Sequence, residues 1–173
     1  MDGIVLAGKR GGGRRLRCYL SEAITILKKH ERRDVVNKFI EIYEYIENHL
    51  TNNYNVEVFN PIKHESGQSP DEIYWRDISA VRKAHFLVAE VSVVSWGVGV
   101  ELMYAIMKGK PILALYNQNS PYHLSEMISG SGVRLRKYSD ENWKTDIVRH
   151  LAEYMTELQS FLRHRRRLIP RQI

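Results

Sequence analysis

The heptapeptide Ser95-Trp96-Gly97-Val98-Gly99-Val100-Glu101 sets a carboxylate just beyond two alternating glycines, directly downstream of the apolar run Phe86-Leu87-Val88-Ala89-Glu90-Val91. A run of that kind suits a parallel strand buried on both faces. Glycines at the exit of such a strand let a ligand approach the backbone closely, in the crevice where open α/β sheets bind their ligands. A helix starting within residues 96–100 would aim its first amides into that crevice and favour an anion, either a phosphate or an ionised carboxylate. Glu101 is then expected in the first turn of the helix, as a candidate nucleophile.

Other residues near this segment admit two readings. Glu90 is either a second acid of the site or a buried carboxylate satisfied by backbone or by an arginine. Asp77 lies in a helical pattern upstream of the strand, where an acid is either solvated surface or a ligand-organising group. Tyr74 and Trp75 either stack on a planar ligand or pack into the core. The seven histidines are scattered, with no pair at helical metal spacing beside a suitable acid, so no metal and no cofactor is expected.

The elements that must position these residues follow from periodicity. The chain opens on Ile4-Val5-Leu6-Ala7-Gly8, which reads as a first strand. The glycine-rich cationic turn Lys9-Arg10-Gly11-Gly12-Gly13-Arg14-Arg15 follows it, and then apolar residues at helical spacing over 16–27. A second helical pattern covers 35–50, with Val36, Phe39, Ile42, Tyr43, Ile46 and Leu50 on one face. A short strand over 56–59 ends at Asn60-Pro61. Ser69-Pro70-Asp71-Glu72 gives an N-cap, a proline at the first helical position and acids in the first turn of a helix running to about residue 83.

Beyond the central strand and its helix, Lys108-Gly109-Lys110 is a helix stop, and Pro111-Ile112-Leu113-Ala114-Leu115-Tyr116 is the next strand. A loop-rich stretch and an edge strand over 133–138 precede a terminal amphipathic helix over 140–163. Alternating strands and helices predict an α/β fold: an open, parallel, Rossmann-like or flavodoxin-like sheet of about five strands with helices on both faces.

At 173 residues the chain suits one domain, read as 1–162 with a basic tail at 163–173. The tail's Arg163, Arg165, Arg166, Arg167 and Arg171 account for most of the net charge of +6. The body is therefore close to neutral, which argues against a nucleic-acid-binding face. Cys18 is the only cysteine, so no disulfide framework is available. No apolar run approaches the length of a membrane span, and a cytoplasmic protein without a membrane partner is expected.

The first-strand residues with their Arg-Gly-Gly loop, Asp77, Val88-Ala89-Glu90-Val91, Ser95 to Glu101, and Leu124-Ser125-Glu126-Met127-Ile128 together resemble the nucleoside 2-deoxyribosyltransferase family. Within it they are most similar to the 2'-deoxynucleoside 5'-monophosphate N-hydrolases. The resemblance implies that Glu101 attacks the anomeric carbon, displacing the base to leave a glycosyl-enzyme ester, and that Asp77 places or protonates the nucleoside. It implies phosphate binding by Ser95, Gly97 and Gly99 of the glycine turn and by Gly8, Lys9, Arg10 and Gly11 of the first loop. Ser125 and Met127 would arrive from a neighbouring subunit, so a homodimer or higher homo-oligomer with shared sites is implied.

The implied substrate is a nucleoside 5'-monophosphate, with base exchange by transfer and non-catalytic nucleotide binding as the alternatives. Against the family pattern, Val5 stands where a tyrosine is common, and residues 14–35 read as an insertion.

Overall fold

The computed structural model describes residues 15–23, 28–29, 32–64 and 67–168. Among the described residues, five strands make one sheet: β1 (Arg17–Ser21), β2 (Glu57–Phe59), β3 (Phe86–Glu90), β4 (Ile112–Asn117) and β5 (Arg134–Tyr138). Every pairing is parallel and the order is β2-β1-β3-β4-β5. That order is the flavodoxin-like form of the doubly wound sheet, in which ligands bind at the switch point between β1 and β3. The helices are α1 (Arg33–Tyr54), α2 (Pro70–Lys83), α3 (Trp96–Met107), the single turn α4 (Glu126–Ser129) and α5 (Trp143–Leu168).

The first strand differs from the sequence expectation. Residues 17–21 form a central strand bonded to both β2 and β3, not the start of a helix over 16–27. Leu16, Cys18 and Leu20 alternate as well as they fit a helical stripe, and local spacing does not choose between the two. Pairing on both sides does: Cys18, Tyr19, Leu20 and Ser21 are all buried. Within the stretch read as an insertion, residues 17–21 thus supply a core strand. The strand expected over residues 4–8 lies outside the described residues.

The other elements follow the pattern. Val36, Phe39, Ile42, Tyr43, Ile46 and Leu50 form the buried face of α1. Asn55 ends the helix in the left-handed region at φ 52°, its N–H bonded to the Leu50 carbonyl. Ser69 and Glu72 close a reciprocal capping box ahead of α2, with Pro70 at the first position. All five residues of β3 are buried. Gly109, at φ 61°, turns the chain from α3 into β4, a conformation that costs a β-carbon-bearing residue more.

The helix α5 packs Ile147, Leu151, Tyr154, Met155 and Leu158 against the sheet. It continues to Leu168, past the boundary drawn at residue 162.

Candidate active site

The sixth residue of α3 is Glu101, one turn deeper than expected, because the helix begins at Trp96 and Ser95 is its N-cap. The end charge of a helix fades within its first turn, so the neighbours of Glu101 set its properties. Those neighbours come from β1. The Tyr19 hydroxyl donates to Oε1 at 2.7 Å and the Ser21 hydroxyl to Oε2 at 2.5 Å. Residues i and i+2 of a strand share a face, which is how one short strand holds both oxygens. A tyrosine therefore stands beside Glu101 in the form of Tyr19, and Val5 lies outside the described residues.

Burial pushes the Glu101 carboxyl up to about 7, against the two hydrogen bonds, which favour the ionised form. Asp77 raises it further and Arg76 lowers it. Tyr19 is held well above its ordinary range, first by burial and then by Glu101, so it remains a donor.

Asp77 stands on α2 and is forked by its sequence neighbour: Arg76 Nε donates to Oδ1 at 2.8 Å and Nη2 to Oδ2 at 3.0 Å. The same guanidinium donates from Nη1 to the His64 carbonyl at 2.9 Å and to Gln68 Oε1 at 2.5 Å. A stack of rings begins at Tyr19. Tyr19 stacks on Phe59 at 5.7 Å between centroids, and Phe59 on His64 at 4.8 Å.

On the other flank of α3, Ser95, Gly99, Ser125 and Met127 line one cavity of about 300 Å³ with Val91, Leu102 and other apolar residues. Glu101 does not line it. Ser95 Oγ accepts the Val98 amide at 3.4 Å, capping the helix. A β-carbon on Gly97 would meet only Ser95 Oγ, at 3.7 Å, and one on Gly99 would meet nothing within 4 Å. Neither glycine has positive φ. Within this chain, then, neither packing nor conformation demands a glycine at either place, although each weakens a helix by about 1 kcal/mol relative to alanine.

Glu90 follows the structural of its two readings. Fully buried at the end of β3, it accepts from the Ser92 amide and hydroxyl and from Tyr138 Oη at 3.0 Å. Asn117 N in turn donates to Ser92 Oγ at 2.6 Å, so the group ties the ends of β3, β4 and β5 together. Tyr74 and Trp75 are 49% and 66% exposed and are not core. Gly8, Lys9, Arg10 and Gly11 lie outside the described residues.

Sequence reasoning missed Tyr19, Ser21 and Arg76. The polar pair Tyr19 and Ser21, at strand spacing around the apolar Cys18 and Leu20, was the available signal.

The sequence profile of the nucleoside 2-deoxyribosyltransferase family matches residues 6–160. A Thermofilum pendens protein with the provisional name 2'-deoxynucleoside 5'-phosphate N-hydrolase 1 is 43% identical over 79 residues, which are 44% of this chain and 55% of that protein. The 5-hydroxymethyl-dUMP N-hydrolase of Mus musculus is 36% identical over 101 residues, 56% of this chain and 58% of its own. The match thus spans little more than half the length of these relatives. Among solved structures, the CMP N-glycosidase BcmB of Clostridium botulinum superposes with a TM-score of 0.53 at 21% identity, covering 80% of this chain and 98% of that one. That likeness bears on the fold.

Proposed function

The chain belongs to the nucleoside 2-deoxyribosyltransferase family, and on that premise we propose that it hydrolyses the N-glycosidic bond of (2'-deoxy)nucleoside 5'-monophosphates. The observation that carries the proposal is the grip of Tyr19 and Ser21 on the two oxygens of Glu101. A carboxylate so held is aimed, and it needs only to be ionised to meet an oxocarbenium-like carbon.

In the first step a Glu101 oxygen bonds to C1' and the glycosidic electron pair leaves with the base, which takes a proton from solvent. In the second step water attacks C1' and gives up a proton to solvent, the C1'–Glu101 ester bond breaks so that Glu101 regains its charge, and (deoxy)ribose 5-phosphate departs. Asp77, held in place by the Arg76 fork, orients sugar or base. The names of the relatives, which act on nucleoside 5'-phosphates, support the choice of substrate.

For the phosphate we propose Ser95, Gly97, Gly99 and the first amides of α3, with Lys9 and Arg10 between Gly8 and Gly11 as cationic neighbours. Ser125 and Met127 would come from a second copy of the chain. An apolar stripe on α3 supports a homodimer: Trp96, Val100, Met103 and Met107 recur at spacings of four, three and four, and are 86%, 49%, 50% and 77% exposed. A cytoplasmic location fits the lone, buried Cys18.

The test is release of free base from each nucleoside monophosphate. Wild type is expected to release it, Glu101→Ala to lose roughly a thousandfold or more, and rapid quenching of wild type to trap a glycosylated Glu101 by mass. Adding a second base separates transfer from hydrolysis, because transfer yields a new nucleotide in place of free sugar phosphate. Absence of base release from every monophosphate would sink the reading.

A further inference from the structure

Two arms reach Glu101, and one guanidinium holds both of them. The first arm is Asp77, which acts on Glu101 through its charge and whose carboxylate Arg76 forks with Nε and Nη2. The second is the ring stack of Tyr19, Phe59 and His64, whose inner end donates to Glu101 and whose outer end Arg76 fastens through the His64 carbonyl. Gln68 Oε1 accepts from the same Nη1. The pair is shielded, with side chains 14% and 13% exposed for Arg76 and Asp77. A planar fork that grips a carboxylate bidentately while bonding a backbone carbonyl is geometry that arginine has and lysine lacks.

We infer that Arg76 is a positioning residue for the proposed reaction, acting through Asp77 and His64 to set the aim and the charge of Glu101. The inference rests on the reading of Glu101 as nucleophile, and it assigns a role to a side chain that need not touch substrate.

Among the described residues, the titratable and charged groups acting on Glu101 are Tyr19 of β1 and Arg76 and Asp77 of α2. The sign follows. Arg76 favours the ionised carboxylate, so its loss raises the Glu101 pKa, and the proton that blocks attack stays on to higher pH. Asp77 opposes ionisation, and without Arg76 its charge acts unscreened. Removing both groups cancels most of the change.

The experiment measures kcat/KM for base release across pH in wild type, Arg76→Met, Arg76→Lys and Arg76→Met/Asp77→Asn, with circular dichroism to check each fold. Arg76→Met is expected to move the acid limb upward by about one pH unit. Arg76→Lys should keep the limb near its wild-type position while kcat falls roughly tenfold or more, because charge survives but the fork does not. The double variant should return the limb toward wild type. A limb in Arg76→Met that superposes on wild type overturns the inference.

Arg76→Gln takes the place of Arg76→Met should the latter not fold. If wild type releases no base, the reaction has been misread, and the clamp is then measured by carbon NMR titration of the Glu101 carboxyl. An upward shift in Arg76→Met upholds it and an unchanged titration rejects it.

Discussion

Both oxygens of Glu101 are occupied by donors of one strand, and this fixes what single substitutions should do. A hydrogen bond to the charged form lowers a carboxyl pKa, so Tyr19→Phe leaves Glu101 harder to ionise, as does Ser21→Ala. Each variant is expected to shift the acid limb of kcat/KM from about pH 7 to higher pH, and Tyr19→Phe also to lower kcat by roughly tenfold to a hundredfold through lost aim. Profiles recorded on the folded variants decide this, and a Tyr19→Phe limb at or below that of wild type refutes the assignment. Glu101 was legible in the sequence because it follows a buried strand and two glycines within a few residues. Tyr19 was not, because the run Ile4-Val5-Leu6-Ala7-Gly8 offered a second strand with the right flanks. A residue's partners in a parallel sheet come from distant segments, here 82 positions away, and spacing carries no record of them.

Elements with their own stop and start signals were legible in full. The capping box of Ser69 and Glu72, the buried face of α1 and the wholly buried β3, apolar up to Glu90, each repeat a local rule. β1 fails that test because its five residues satisfy two rules at once, and pairing with β2 and β3 resolves the choice. The helix α3 shows a further consequence of element geometry. Its inner face packs Val98, Leu102 and Ala105, one flank presents Glu101, and the outer face exposes Trp96, Met103 and Met107. Apolar residues at that spacing and exposure suit a second helix. Met103→Glu is therefore expected to yield monomers by sedimentation and to lose base release while keeping its fold. Mixing Glu101→Ala with Ser125→Ala chains tests the sharing directly. If Ser125 serves the partner's site, mixed dimers assemble one intact site and regain activity that neither variant has alone. No recovery, with exchange of chains verified, means that each site is built from one chain.

At the scale of the molecule, the order β2-β1-β3-β4-β5 leaves a crevice where the chain departs from β1 and β3 in opposite directions, and two carboxyls, Glu101 beside β1 and Glu90 at the end of β3, are pushed upward by the packing around them. Glu101 and Glu90 are each raised from 4.5 to about 7, chiefly by burial. A carboxyl whose pKa is higher folded than unfolded binds its proton more tightly in the native state. Its contribution to stability is complete below about pH 4.5 and is lost as pH rises through about 7. Resistance to urea is therefore expected to fall between about pH 5 and pH 8. The share due to Glu101 can be isolated with Glu101→Gln, which keeps the shape and an acceptor for Tyr19 but cannot ionise. This variant should be more stable than wild type at about pH 8, by about 1–3 kcal/mol, and nearly equal to it at about pH 4.5. If the two proteins unfold alike at both values, Glu101 has an ordinary pKa and burial does not poise it. The expected gain has a functional reading: a nucleophile kept half-buried among neutral donors costs the native state stability at the pH where it must be charged to act, the trade common at sites whose chemistry opposes packing.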